Sequence, residues 1–252
     1  GGKFEFSSNT SVSVAAKKYD LLDREQYLGA ITQYGGDANS LDFGADTDWQ
    51  DYLLRTAFST DQNISYSNNY GSGFVRASLN YGDQNGIIKN SSQERITGRL
   101  NLSQRFLDDK LKLDFNGTIS RINDDAPMIT NTAGSTGDLL GATYFANPTW
   151  PTDPSFSTGS DLIPSQALNY FKDQTNTNRY LANISAEYEI IDGLKAKVNL
   201  GYDESSADKN QALSGNISGL SNGAPVNGRG FFAENYNKNT LLDATLNYVT
   251  EF

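Results

Sequence analysis

An all-β fold, antiparallel and of the transmembrane β-barrel kind, is what this sequence predicts, and three observations predict it. About eight segments are apolar at every second residue, charged residues keep to the opposite face, and the connections alternate short and long. A period of two places successive side chains on opposite faces of a strand. In the clearest segment Leu111, Leu113, Phe115, Gly117 and Ile119 share one face against Lys112, Asp114, Asn116, Thr118 and Ser120. The polar faces carry Arg76, Arg95, Arg99, Glu187, Lys195, Lys197 and Asp243, while the apolar faces are uncharged in mid-segment. A Lys or Arg turned toward lipid near the bilayer centre costs about 2–4 kcal/mol, so the facing of each strand is not a free choice.

The first strand is expected from Lys3 to Val14, with Phe4, Phe6, Val12 and Val14 on one side. The second runs from Asp61 to Asn68 through Ile64 and Tyr66, and the third from Gly73 to Gln84 through Val75, Ala77, Leu79 and Tyr81. Gln93 to Arg105 forms the fourth with Ile96, Leu100 and Leu102, and Lys110 to Ile122 the fifth. The sixth, Asn178 to Ile190, alternates Tyr180, Ala182, Ile184, Ala186, Tyr188 and Ile190. The seventh, Leu194 to Glu204, shows Leu194, Ala196, Val198, Leu200 and Tyr202. The eighth, from near Gly230 to Glu251, shows Leu242, Ala244, Leu246 and Tyr248, and Phe252 continues its alternation. Most are long enough to cross a bilayer, which takes roughly 9–11 tilted residues.

Asn69–Ser72, Phe106–Asp109 and Ile191–Gly193 read as tight turns. Between them lie Ala15–Thr60, Asn85–Ser92, Asn123–Thr177 and Ser205–Arg229. With strands alternating up and down, every short turn falls at one end and every longer loop at the other, the asymmetry of outer-membrane barrels. Tyr81, Tyr180 and Tyr202 lie near the long-loop end and Phe106, Tyr188 and Tyr248 near the short-turn end, which suits two interfacial girdles. High β-propensity of aromatic residues is the plainer account of the same placement.

Two loops carry local structure. Asp23 suits a helix N-cap, Gln26 completes a capping box, Leu22 can staple to Tyr27, and Gly35 ends the helix. A second short helix is expected to start at Asp48, with Trp49 and Leu53 facing inward. Residues 123–177 form a long external loop, too long for an ordinary connection, and its Asn147-Pro148-Thr149-Trp150-Pro151 stretch favours extended backbone.

Composition limits the function classes. Of 252 residues 37% are hydrophobic, and mean hydropathy is -0.54, so no run approaches the roughly 18–20 apolar residues of a membrane helix. The net charge of -10 opposes nucleic-acid binding. Cysteine and histidine are both absent, which removes disulfides, thiolate sites, Ser-His-Asp and Cys-His nucleophiles and most zinc sites. Neither an enzyme nor a cofactor is expected. Asp108-Asp109 and Asp124-Asp125 read as solvated turns; the acidic loop of Asp42, Asp46, Asp48 and Asp51 offers oxygen ligands for calcium, but it lacks EF-hand spacing and helix capping already accounts for Asp48, so no metal site is expected. Gly1-Gly2-Lys3-Phe4 is no secretion signal, so an exported chain would be processed or an internal piece.

Candidate functional residues are of two kinds. Tyr144, Phe145, Trp150, Tyr170 and Phe171, with Phe156, crowd the long loop, where rings stack on sugars, bury into a partner or pack the loop upon itself. Arg95, Arg99, Lys112 and Asp114 are expected to face the lumen, lining a passage or pairing with a plug or with each other.

Several stretches together carry a family resemblance. Asp48-Trp49-Gln50-Asp51, Arg55-Thr56-Ala57-Phe58-Ser59, Asn63-Ile64-Ser65-Tyr66-Ser67, Leu79 through Ile88 and Arg95 through Leu102 resemble the SusC/RagA family of TonB-dependent outer-membrane transporters. So do Asn147 through Pro151, Gly193-Leu194-Lys195, Asn199-Leu200-Gly201-Tyr202 and Leu246-Asn247-Tyr248. The resemblance implies a larger barrel of about twenty-two strands, a bacterial outer-membrane location, and TonB-powered import of oligosaccharides or peptides. It also implies a SusD-like surface lipoprotein as partner. The family's plug has no counterpart here, so residues 1–252 are expected to be one barrel segment. A self-contained eight-stranded barrel and a soluble β-sandwich binding module are the alternatives.

Overall fold

The computed structural model describes residues 1–129, 138–219 and 227–249. Its centre is one eight-stranded antiparallel sheet in which sequence order and spatial order coincide. The strands are β1 (Lys3–Ser13), β2 (Ala57–Tyr70), β3 (Gly73–Asn85), β4 (Ser92–Phe106), β5 (Leu111–Asp125), β6 (Phe171–Ile191), β7 (Leu194–Leu213) and β8 (Arg229–Tyr248). Among the described residues β1 pairs only with β2 and β8 only with β7, so the sheet is open at both edges. Phe252 and the rest of 250–252 lie outside the described residues.

Register carries the alternation from strand to strand. Val75, Leu102, Phe115, Ile184, Leu200 and Leu242 are successive direct partners across β3 to β8. Leu113, Ala186, Val198 and Ala244 form the next such row. No second sheet covers this face among the described residues: Leu113 is 38% exposed, Val198 42% and Leu246 69%. The stacked pair of sheets that a β-sandwich requires is therefore not the architecture found.

The apolar band runs obliquely across the sheet. Following direct partners from Ile64 in β2 leads through Leu79, Gly98, Ile119, Tyr180 and Glu204 to Lys238 in β8. The unbroken apolar run of β8, Leu242, Ala244, Leu246 and Tyr248, lies farther along, while Phe232 and Tyr236 stand on the long-loop side of Lys238. A stagger of roughly four to six residues over those steps, at about 3.3 Å per residue and 4.8 Å per strand, corresponds to a tilt of about 25–35°. On the same face Asp83, Glu94, Arg121, Glu204 and Lys238 all lie toward the long-loop side of Tyr81, Ile96, Ile119 and Tyr202.

The turns at the other end are short. Gly71 has φ +51 in the two-residue β2–β3 turn, and Gly193 has φ +77 between β6 and β7, left-handed conformations that glycine adopts freely. The β4–β5 turn instead places Leu107, Asp108 and Asp109 at φ +56, +53 and +68. The strands outgrow their expected lengths at the long-loop end: β6 starts at Phe171 instead of Asn178, and β7 runs to Leu213 instead of Glu204. Asp124 and Asp125 consequently sit at the end of β5, not in a turn, and accept from Gln93 (2.8 Å) and Gln174 (2.8 Å).

The loops hold a core of their own. The helices α1 (Arg24–Gln33), α2 (Trp49–Leu53), α3 (Leu139–Phe145) and α4 (Pro164–Tyr170) all lie at this end. The Asp23–Gln26 capping box forms as expected, as does the Asp48 cap, and Trp49 and Leu53 are buried. Leu53, Met128, Leu139, Ala142, Leu162, Ala167, Leu168, Leu213 and Ile217 make one apolar cluster, and Trp49, Trp150 and Ile163 a second.

Candidate functional sites on the polar wall and in the loops

The polar face of the sheet is a network of contacts within and between strands. Lys112 pairs with Asp114 at 2.9 Å, and Asp114 also accepts from Ser185 at 3.5 Å. Arg95 reaches Asp61 at 3.8 Å, while Asn80 donates to the same carboxylate at 3.1 Å. Thr97 and Ser120 share a 3.0 Å hydroxyl contact, and Arg179 forks onto Asp203 at 3.1 and 3.0 Å. Arg99 forms no ion pair or side-chain hydrogen bond among the described residues; with Arg95, Asn63, Ser78 and Asn80 it borders a polar hollow of about 260 Å³. All four residues expected on the lumen side thus share one face, three of them already paired.

The loop aromatics separate into two groups. Trp150 is 7% exposed, packs with Trp49 and Ile163, and its indole Nε1 has no hydrogen-bond partner among the described residues. Tyr170 and Phe171 pack against the larger apolar cluster, Tyr170 closing α4 and Phe171 opening β6. Tyr144 and Phe145, by contrast, end α3 with 39% and 73% of their surface exposed. They border a cleft of about 610 Å³ whose other walls come from Tyr19–Asp23, Tyr27 and Asp46–Gln50.

Local chemistry explains how that cleft is held. The Asn147–Trp150 stretch, expected to be extended, instead closes a turn in which Trp150 N–H donates to the Asn147 carbonyl (3.1 Å) and Thr149 N–H to Asn147 Oδ1 (2.8 Å); it lies beside residues 41–47, where Thr47 N–H donates to the Pro148 carbonyl (2.8 Å), Ala45 N–H to that of Thr149 (3.0 Å), and Asn147 Nδ2 to that of Leu41 (2.9 Å). Trp49 Nε1 donates to the Asn147 carbonyl at 3.0 Å. The Gln50 amide grips the Tyr19 backbone twice, donating to its carbonyl (2.8 Å) and accepting from its N–H (2.8 Å). Tyr19 then meets Tyr144 edge-to-face with centroids 4.9 Å apart. Across α1, the Arg24 guanidinium forks onto Asp42 at 3.1 and 2.6 Å. That fork, with the Gly44 N–H, holds the Asp42 carboxyl below the usual carboxylate range and raises Arg24. Burial, with the charge of Asp161, pushes the Tyr27 phenol up, so it stays a donor.

Sequence reasoning did not single out Tyr19, Asp20 or Gln50 as site residues, and weighed Asp46 only as part of the acidic Asp42–Asp51 loop. They lie far from Tyr144 in the chain, and only the Asp48 cap hinted that this segment was structured. Among the described residues no group of histidine, cysteine or carboxylate side chains is arranged to hold a metal ion.

No protein-family model matches the chain. The TonB-dependent receptor SusC of Bacteroides thetaiotaomicron is 31% identical over 209 residues, 73% of this chain and 21% of that protein. The TonB-dependent receptor P3 of Formosa agariphila is 27% identical over 257 residues, 98% of this chain and 25% of that protein. The chain therefore spans about a fifth to a quarter of the curated relatives it matches. Among solved structures, the RagAB peptide transporter superposes with a TM-score of 0.68 at 16% identity, covering 88% of this chain and 30% of the other. The RagAB peptide importer in its closed-closed state gives 0.68 at 18% identity, covering 98% and 32%. At those identities the likeness is one of fold.

Proposed function

We propose that this chain, which is SusC/RagA-like, forms part of the wall of a closed β-barrel in a bacterial outer membrane. The barrel imports oligosaccharides or peptides with energy delivered through TonB, beneath a SusD-like surface lipoprotein. One observation carries the membrane reading: a single sheet presents an uncovered apolar face that stays in register across β3 to β8. A soluble monomer rarely exposes an apolar patch of more than a few hundred Å². Lipid covers it without strain.

The geometry of the band supports the same reading. Its obliquity, a tilt of about 25–35°, approaches the 35–45° of outer-membrane strands. Charges on that face begin only beyond its long-loop border, where an interface would lie. The two unpaired edges favour a larger barrel over a self-contained eight-stranded one, because a closed barrel leaves no edge. The import role rests on the relatives, named as TonB-dependent receptors and as a peptide importer.

The test is reconstitution. The transporter containing this chain should extract only with detergent, migrate faster unboiled than boiled, and mediate TonB-dependent uptake in cells of labelled oligosaccharide or peptide. A chain that is monomeric and soluble without detergent ends the membrane reading. A detergent-requiring barrel whose deletion leaves uptake unchanged ends the import reading alone.

A further inference from the structure

We infer that the polar hollow beside Arg95 and Arg99 binds a carboxylate carried by the cargo, at the head of an arginine track that descends the inner wall. This rests on the import reading and narrows its cargo from oligosaccharides or peptides to those with acidic units.

Charge on this sector of the wall is one-sided. The polar faces of β3 and β4 carry Arg76, Arg95, Arg99 and Arg105 and no carboxylate, in a chain whose net charge is -10. Register sets their order: Arg95 lies nearest the long loops, Arg99 in mid-strand, Arg76 beside Asn101, and Arg105 at the turn. Carboxylates on the flanking strands do not offset them. Asp61 of β2 already accepts from Asn80 at 3.1 Å and gives Arg95 only a 3.8 Å contact, and Asp114 of β5 pairs with Lys112. Arg76 feels Glu5, which Lys3 already holds, and Arg105 faces a second cation, Lys112, across the ladder. Like charges stacked on adjacent strands repel, and an anion among them relieves that repulsion.

Arg99 is the extreme case. Its direct partners are Ser78 and Thr118, and its same-face neighbours along β4 are Thr97 and Asn101, all neutral. It forms no ion pair or side-chain hydrogen bond among the described residues.

The hollow gives an anion its place. At about 260 Å³ it is bordered by Arg95, Arg99, Asn63, Ser78, Asn80 and Thr97, with Asp61 at its side. Gly82 stands between Asp61 and Arg95 in the ladder and keeps the space open; a Cβ there would meet Asp61 Oδ2 at 3.3 Å. Asn63 and Ser78 keep their side-chain groups unspent among the described residues. Those two would serve a neutral ligand equally well. The arginines would not, because a guanidinium fork matches the paired oxygens of a carboxylate. The volume falls just below the roughly 300–1,000 Å³ of pockets for whole drug-sized ligands, which suits one acidic unit of a longer chain.

The experiment uses the complete transporter in detergent, titrated calorimetrically with end-blocked tetraglutamate, tetragalacturonate, end-blocked tetralysine and maltotetraose. At least one of the two carboxylate oligomers is expected to bind, more weakly as salt rises, and which one binds identifies the cargo's backbone. Tetralysine and maltotetraose should not compete. Arg99→Gln should weaken the binding about tenfold, and Arg99→Lys, which keeps the charge without the fork, should restore part of it. Arg179→Gln should leave affinity unchanged, because Arg179 lies outside the hollow and forks onto Asp203. No binding of either carboxylate oligomer, unchanged affinity in Arg99→Gln, or equal competition by maltotetraose overturns the inference. So does a lowered denaturation midpoint of unliganded Arg99→Gln with affinity intact, the result expected where another part of the same protein supplies the carboxylate. Uptake of a neutral oligosaccharide with no carboxylate oligomer bound would leave the import reading standing while this one falls; loss of the heat-modifiable barrel would remove the import reading by a separate measurement.

Discussion

Replacing Val198 with arginine separates a lipid-facing sheet from a solvent-facing one. Val198 lies midway between Tyr202 and Leu194 on the apolar face of β7, with Ala186 and Ala244 as its direct partners. At about 3.3 Å per residue and a tilt of about 30°, it stands about 11 Å from each of those borders, the middle of an apolar band about 25 Å tall. No acidic residue shares its row to pair with an introduced guanidinium. An arginine at that depth costs about 2–4 kcal/mol, or about 30-fold to 900-fold in the folding equilibrium. Were this face in water, where Val198 is already 42% exposed, the same change would fall within about 0.5 kcal/mol. The assay is denaturant-titrated folding of the complete barrel into phospholipid vesicles, followed by tryptophan fluorescence. Asn199→Arg is the matched control, because Asn199 faces the other side with Ser185 and Asp243 as partners. Equal midpoints for Val198→Arg, Asn199→Arg and the unaltered chain would refute the sidedness on which membrane, location and import all depend.

Other perturbations test the loops and turns. Trp150→Ala should cost about 3 kcal/mol within the loop core, whereas Trp150→Phe should cost less than about 1, since it also removes a buried N–H that lacks a partner. Hydrogen exchange should show the Ala variant loosening residues 139–170 while the mid-sheet amides stay protected. Asp109→Gly should stabilise the β4–β5 turn by about 1 kcal/mol, because Asp109 holds φ +68 without the freedom of glycine; an unchanged denaturation midpoint would contradict this. The Arg24–Asp42 fork fixes a direction in pH. Asp42 sits below the ordinary carboxylate range, so its contribution is full above about pH 4 and is lost as pH falls through the depressed value. Arg24→Gln should move the acid-induced loosening of residues 37–46 to higher pH, read by pulsed hydrogen exchange across the titration.

The parts of this molecule that could be read from its sequence are those whose signal is local and periodic. Alternation of Leu111, Leu113 and Phe115, or of Ile184, Ala186 and Tyr188, gives both the existence and the facing of a strand. That signal ends where both faces become polar. Thr175, Asn176, Thr177 and Asn178 in β6, and Ser205, Ser206 and Ala207 in β7, pair directly with their neighbours yet alternate nothing, so the strands outrun their legible length. The Asp23 and Asp48 caps were legible because each spans only a few residues.

The loop core was not, because its contacts join residues about a hundred positions apart, such as Trp49 with Asn147 and Phe43 with Thr149. A tryptophan in a polar, proline-containing loop looks like a ligand platform until those contacts enclose it. The cleft escaped for a related reason: Asp20, Asp46 and Phe145 become neighbours only after Gln50 clamps Tyr19 and the Asn147 stretch is laid beside residues 41–47. The two surfaces are therefore specified in different ways. A one-residue slip in the β3–β4 or β4–β5 ladder would turn Arg99 or Lys112 onto the apolar face, so each of those pairings enforces the facing of the sheet. The cleft has no such redundancy and hangs on a few clamps. Substitutions at Gln50 or Asn147 should open it while the sheet keeps its register, a separation that hydrogen exchange can resolve residue by residue.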